Sequence, residues 1–195
     1  EAVFELDLVL QGGQQPDPLA CFAVNKMKVH QHDGKIYINK GAFALPEDAA
    51  VDLSQTDVSF SIDGLVYTIP AGSFIYDDGK YTYKSPHGQV PAIKVKLDFL
   101  KYKWSLKVRD PQAATIDNVD GVDVVMAFAG FQASENIVMT EKHNDRHHHN
   151  NYHDHDKVML KFKRKPKVRC GPQKEHHHEH DDDGHEGHHH ANDEE

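Results

Sequence analysis

The stretch VSFSIDGLVYTI, residues 58-69, decides the fold. Val58, Phe60 and Ile62 alternate with Ser59 and Ser61, and Leu65, Tyr67 and Ile69 alternate with Val66 and Thr68. In an extended backbone successive side chains point to opposite faces, so each half presents one apolar face and reads as a half-buried strand. Asp63-Gly64 between them supplies the positive φ of a tight two-residue turn, which makes the pair a β-hairpin.

The same grammar extends in both directions. Upstream, Phe22, Val24, Met27 and Val29 lead through Asp33-Gly34 into Lys35-Ile36-Tyr37-Ile38. Downstream, Phe74-Ile75-Tyr76 and Tyr81-Thr82-Tyr83 flank Asp77-Asp78-Gly79. Ile93, Val95, Leu97 and Phe99 alternate with Lys94, Lys96 and Asp98, and Trp104, Leu106 and Val108 with Lys103, Lys107 and Arg109, giving one apolar and one cationic face. Val122 to Phe131 is almost wholly apolar and reads as a central strand buried on both faces, while Ile137-Val138-Met139 and Val158-Met159-Leu160-Lys161-Phe162 read as two more. No segment has the periodicity of an amphipathic helix. The expected product is an all-β fold, an antiparallel β-sandwich of roughly ten strands with a His-rich hairpin tip and a polar C-terminal tail.

Three parts follow from composition. Residues 1-18 are an N-terminal strand and linker, 19-170 the sandwich domain, and 171-195 a tail rich in His, Asp and Glu. In the first part Val3, Phe4, Leu6, Leu8 and Leu10 mark a period-2 strand, and the Gly- and Pro-containing run from Gly12 to Pro18 is expected to end it. A strand tethered by such a linker has the form of an arm donated to a neighbour's sheet, where head-to-tail repetition would build a filament from copies of this chain. The alternative is the first strand of its own sandwich.

Hydrophobic residues make up 38% of the 195, enough for one core, and no apolar run approaches the ~18 residues of a membrane span. The sequence opens Glu1-Ala2-Val3, as signal cleavage would leave it, so secretion to the cell surface or medium is expected, with the periplasm as the alternative. Cys21 and Cys170 are too far apart for a CxxC motif and suit one disulfide tying an early strand to a late one; two buried free thiols are the other reading.

Of the seventeen histidines, all but His30, His32 and His87 lie at residue 143 or beyond, in HNDRHHHNNYHDHD (143-156) and HHHEHDDDGHEGHHH (176-190). The candidate ligands are His143, His147, His148, His149, His153, Asp154 and His155 in the first burst. In the second they are His176, His177, His178, His180, His185, His188, His189 and His190. Imidazole suits Zn, Cu and Ni, and the interleaved carboxylates add oxygen donors and countercharge, so a divalent transition metal is the expected cofactor. In extended chain, His147 with His149, His153 with His155, and His176 with His178 form two-ligand pincers; such loose, redundant spacing points to several sites of moderate affinity. A solvated histidine-rich loop and tail is the bland alternative. His30, His32 and His87 stand alone near turns and read as ordinary surface residues. Formal charge is −9 with neutral histidines, and protonating all seventeen carries it to +8, so metal affinity should collapse in mild acid.

Lys157, Lys161, Lys163, Arg164, Lys165, Lys167, Arg169 and Lys174 form a basic stretch without an acid, whereas residues 175-195 carry nine acids and no Lys or Arg. The stretch reads as a partner for that tail, as a lysine-guarded edge strand, or as a polyanion site; without interleaved aromatics and in an acidic chain, nucleic acid is not expected. Asp117 to Asp123 has the wrong spacing for a calcium loop and reads as a turn. GxSxG, HExxH and phosphate-binding glycine loops are absent from the sequence, so no enzymatic activity is expected; a metal-assisted hydrolase or oxidase built on His147, His149, His153 and His155 is the one catalytic alternative.

Thr56 to Gly64, then TIPAGSF (68-74), GKYTYK (79-84) and Val95-Lys96-Leu97-Asp98 resemble a repeating β module of secreted multi-repeat bacterial proteins. The resemblance covers roughly residues 34-142 and implies a secreted β scaffold without assigned activity or catalytic residues. This chain departs from it by having a single copy, the N-terminal strand and the histidine-rich segments, which is where specific function is expected. The runner-up to a self-assembling metal-binding subunit is a monomeric periplasmic or extracellular metal-buffering or delivery protein.

Overall fold

A computed structural model describes residues 15-143 and 158-171. It is all-β: among the described residues helix is confined to two short 3₁₀ turns, Gln31–Asp33 and Pro111–Thr115. One sheet has five strands in the order β1 (Asp17–Pro18), β11 (Phe131–Ile137), β10 (Val122–Phe128), β4 (Val58–Ile62) and β5 (Leu65–Ile69). The second has eight, in the order β12 (Thr140–His143), β13 (Val158–Lys163), β2 (Cys21–His30), β3 (Lys35–Ala44), β9 (Lys103–Arg109), β8 (Ala92–Asp98), β7 (Lys80–Lys84) and β6 (Ile75–Asp77).

The alternation read from 58-69 is what joins the sheets. Val58, Phe60, Ile62, Tyr67 and Ile69 are buried, and they share one core with Met27, Val29, Ile36, Ile38, Val95, Leu97 and Leu106 of the larger sheet. Each such side chain contributes about 1.5 to 3 kcal/mol by leaving water, so the two apolar faces hold the sheets in a sandwich-like arrangement. Asp63 and Gly64 have φ of 52° and 78°, the pair of positive values that the two-residue turn requires. At the centre Trp104 stacks on Phe22 of its own sheet and on Phe60 of the other, with ring centroids 5.4 and 5.9 Å away. Its indole lies over Gly41, the residue opposite it in the ladder, where any Cβ would collide with the ring; beside this point β3 carries one residue more than β9 between Ile38 and Gly41, a bulge that shifts the register by one.

Several expectations are corrected. The apolar run 122-131 is two strands, not one, because Ala129 and Gly130, at φ 51° and 80°, turn the chain back after Phe128. Nor is β10 buried on both faces: Val122, Val124, Met126 and Phe128 are buried, and Asp123 between them is exposed. Ile137-Val138-Met139 is not a strand of its own; Ile137 closes β11, Val138 is exposed, and pairing resumes at Thr140. Within the linker Asp17-Pro18 pairs in parallel with Phe131-Gln132, a minor exception to an otherwise antiparallel fold, and Pro18 is tolerated because β1 is an edge. The Asp33-Gly34 turn is longer than a two-residue hairpin, since residues 31-33 form a 3₁₀ turn and Gly34 alone has positive φ there. These splits raise the strand count to thirteen among the described residues, against the ten or so expected.

Candidate functional site

Cys21 and Cys170 form a disulfide, with Cα atoms 5.8 Å apart. It fastens a strap, residues 164-171, across the end of the eight-stranded sheet. Phe22 and Phe43 pair across the ladder and face the core, so their neighbours Ala23 and Ala42 face the other way, yet both are buried, at 2% and 4% exposure. Strap residues Lys167 to Cys170 line one groove with Ala42. Asn25 holds the strap by a two-way bond, its amide donating to the Val168 carbonyl at 2.9 Å and its Oδ1 accepting from the Val168 N–H at 2.8 Å.

Where β13 ends at Lys163, the last residue it pairs with on β2 is Lys26, and Val24 is left to find other partners. Two side chains supply them. Glu135 on β11 accepts the Val24 N–H at 2.7 Å, Arg164 donates from Nε to the Val24 carbonyl at 3.3 Å, and Arg164 and Glu135 pair with each other. A charged pair, one side chain from β11 and one from the start of the strap, thus caps an open strand edge. The basic stretch is therefore not uniform: Arg164 is spent on structure, and β13 is not an edge strand, because β12 covers it.

The candidate metal ligands fall differently. His143 closes β12 opposite Val158, so the two described residues that flank positions 144-157 lie one strand spacing apart. His147, His148, His149, His153, Asp154 and His155 lie outside the described residues, as do His176, His177, His178, His180, His185, His188, His189 and His190, and the assembly candidates Val3, Phe4, Leu6, Leu8 and Leu10. Among the described residues no three His, Cys, Asp or Glu side chains converge as a metal site. Burial, then the charges of His32 and Lys28, hold the His30 pKa below its usual value. Around the 117-123 turn Asn118 clasps Met139, accepting its N–H at 2.6 Å and donating to its carbonyl at 2.7 Å, and Asn136 donates to Asp123 at 2.8 Å. These bonds give the turn a structural task. Burial, then the Asp117 charge, raises the Asp63 pKa beside it.

The feature that sequence alone did not disclose is a row of cations. Across six neighbouring strands the ladder sets Lys161 beside Lys28, Lys28 beside Tyr37, Tyr37 beside Lys107, Lys107 beside Lys94, and Lys94 beside Lys84. Directly opposed residues share a face, and this face is the one turned from the core. Lysines directly opposite each other repel, so the arrangement costs stability unless anions offset it. The ion pairs His32–Asp33, Lys35–Asp33 and Arg164–Glu135, each between two described residues, use none of these five lysines. The row runs into a groove of about 780 Å³ bordered by Lys35, Lys84, Lys94, Lys107 and Arg109. A second groove, about 560 Å³, is bordered by Lys40, Lys101, Lys103, Lys167 and Arg169.

No protein-family model, no curated protein and no solved structure matches the chain.

Proposed function

We propose that the chain is a secreted, non-enzymatic structural subunit that assembles with copies of itself, at the cell surface or in the medium, and binds divalent transition metal, Cu, Zn or Ni, through segments 143-156 and 176-190. The observation that carries this reading is the alternation of imidazoles with carboxylates in both segments. Two features support it. His143 and Val158, which flank the first segment, are paired in the ladder, and a closed loop lowers the entropy its ligands would lose on converging. The disulfide fits an oxidising compartment, and no helix of the described residues is long and apolar enough to cross a membrane.

For assembly, the donor is the strand Val3 to Leu10, and the acceptor is the outer edge of β5, which among the described residues pairs with β4 alone. β1, the first described strand after the proposed donor in the chain, and β5 are the two ends of the five-stranded sheet. An arm added beyond one edge onto the opposite edge of the next copy is a heterologous contact that propagates.

Titration calorimetry with Zn, Cu and Ni tests the metal claim. Uptake is expected at about pH 7.5 and is lost near pH 5, where protons occupy the same nitrogens. No uptake at the higher pH overturns it. Sedimentation and negative-stain microscopy test assembly: polymers are expected, and deleting residues 1-15 abolishes them. A monodisperse 22.1 kDa species with full metal uptake overturns assembly and establishes the metal-buffer reading instead.

A further inference from the structure

We infer that the lysine row and its two grooves are a docking surface for the acidic C-terminal tail, residues 175-195, of the same chain.

The inference stands on charge, on where the described chain ends, and on reach, and it needs neither metal nor assembly. The described residues contain nineteen Lys and Arg against sixteen Asp and Glu, a net +3, although the whole chain is −9. The tail alone holds nine acids and no Lys or Arg. The chain is thus a cationic body carrying an anionic terminus, and the body's cations are gathered on one face. That face is built to a pattern: outward positions of β9 run Lys103, Ser105, Lys107, Arg109, linking the groove beside Lys103 to the groove beside Lys107 and Arg109. At ~3.4 Å per residue this track is about 20 Å long.

The tail starts at its near end. Cys170 borders the groove beside Lys103 together with Lys167 and Arg169, and Gly171 packs against Tyr102, another of its residues. Residues 172-195 follow, 24 in all, and at up to ~3.3 Å each they reach about 80 Å, several times the length of the track. The disulfide therefore fixes the origin of an anionic segment beside a cationic channel. Tethering at that distance raises the effective concentration of the tail to the millimolar range, so weak individual ion pairs suffice in sum. A free polyanion would have to displace an occupant that is covalently present.

Digestion of the metal-free full-length protein with a glutamate-specific protease tests this, because Glu175, Glu179 and Glu186 are cut sites within the tail. At low salt, tail cleavage in the wild type is expected to be about tenfold slower than in a Lys84→Gln, Lys94→Gln, Lys107→Gln variant. The difference should vanish at ~0.5 M salt, where charges more than a few ångströms apart are screened. A second variant, Asp181→Asn, Asp182→Asn, Asp183→Asn, leaves every cut site and the whole body intact and should be cut as fast as the first. Equal rates in the wild type and both variants overturn the inference. Protection that grows with protein concentration also overturns it, by placing the tail on a neighbouring copy.

Discussion

Replacing Cys21 and Cys170 together by serine is expected to lower the free energy of unfolding by about 4 to 5 kcal/mol. The estimate comes from the loop: the bond links residues 149 apart, and on chain-entropy grounds forbidding the unfolded chain that much freedom is worth about 5 kcal/mol. Both cysteines are half-buried, so the serine hydroxyls incur little desolvation and the loss is dominated by the unfolded state. Urea unfolding separates this from a local effect. If the bond constrains the whole chain, the midpoint falls and the m-value rises, because the unlinked unfolded chain exposes more surface. If it only pins the strap, the body keeps its stability to within about 1 kcal/mol, the worth of a few freed hydrogen bonds such as those of Asn25 to Val168. An unchanged m-value with a loss that small would refute the long-loop account. Loss of the bond also unties the origin of the tail, so tail cleavage should accelerate even in molecules that stay folded.

Local chemistry was legible in the sequence, and register was not. Residues 58-69 announce their hairpin because alternation and Asp-Gly both act within a dozen residues. Lys94, Lys96, Lys103 and Lys107 were readable as the outer face of two strands for the same reason. Their alignment with Lys84, Lys28 and Lys161 depends on which strand lies beside which, and β13 and β2, adjacent in space, are separated by well over a hundred residues in the chain. The run 122-131 misled because a tight turn can be built from Ala129 and Gly130 as well as from the polar residues that usually mark one. The metal candidates rest on composition, which specifies donors without placing them.

Glu135 shows most sharply what only the assembled fold reveals, and its replacement by alanine is expected to cost about 3 kcal/mol. In sequence it is one polar residue among Gln132, Ser134 and Asn136 on an ordinary strand. In the fold its carboxylate accepts the Val24 N–H and pairs with Arg164, which in turn serves the Val24 carbonyl. Truncation therefore leaves a backbone N–H without its acceptor and a partly buried guanidinium without its anion. An orphaned polar group costs about 1 to 3 kcal/mol, and breaking a buried charge pair from one side 3 to 5. The Glu135 and Arg164 side chains are 19% and 30% exposed, so water relieves part of the penalty and the lower end of that range applies. Glu135→Gln keeps an acceptor for Val24 and should cost roughly half as much. Because both residues act on the same strand edge, a Glu135→Ala, Arg164→Ala double variant should lose about 1 to 2 kcal/mol less than the sum of the single losses. Urea unfolding of the four proteins measures this, and strictly additive losses would show that the two side chains do not act as one cap.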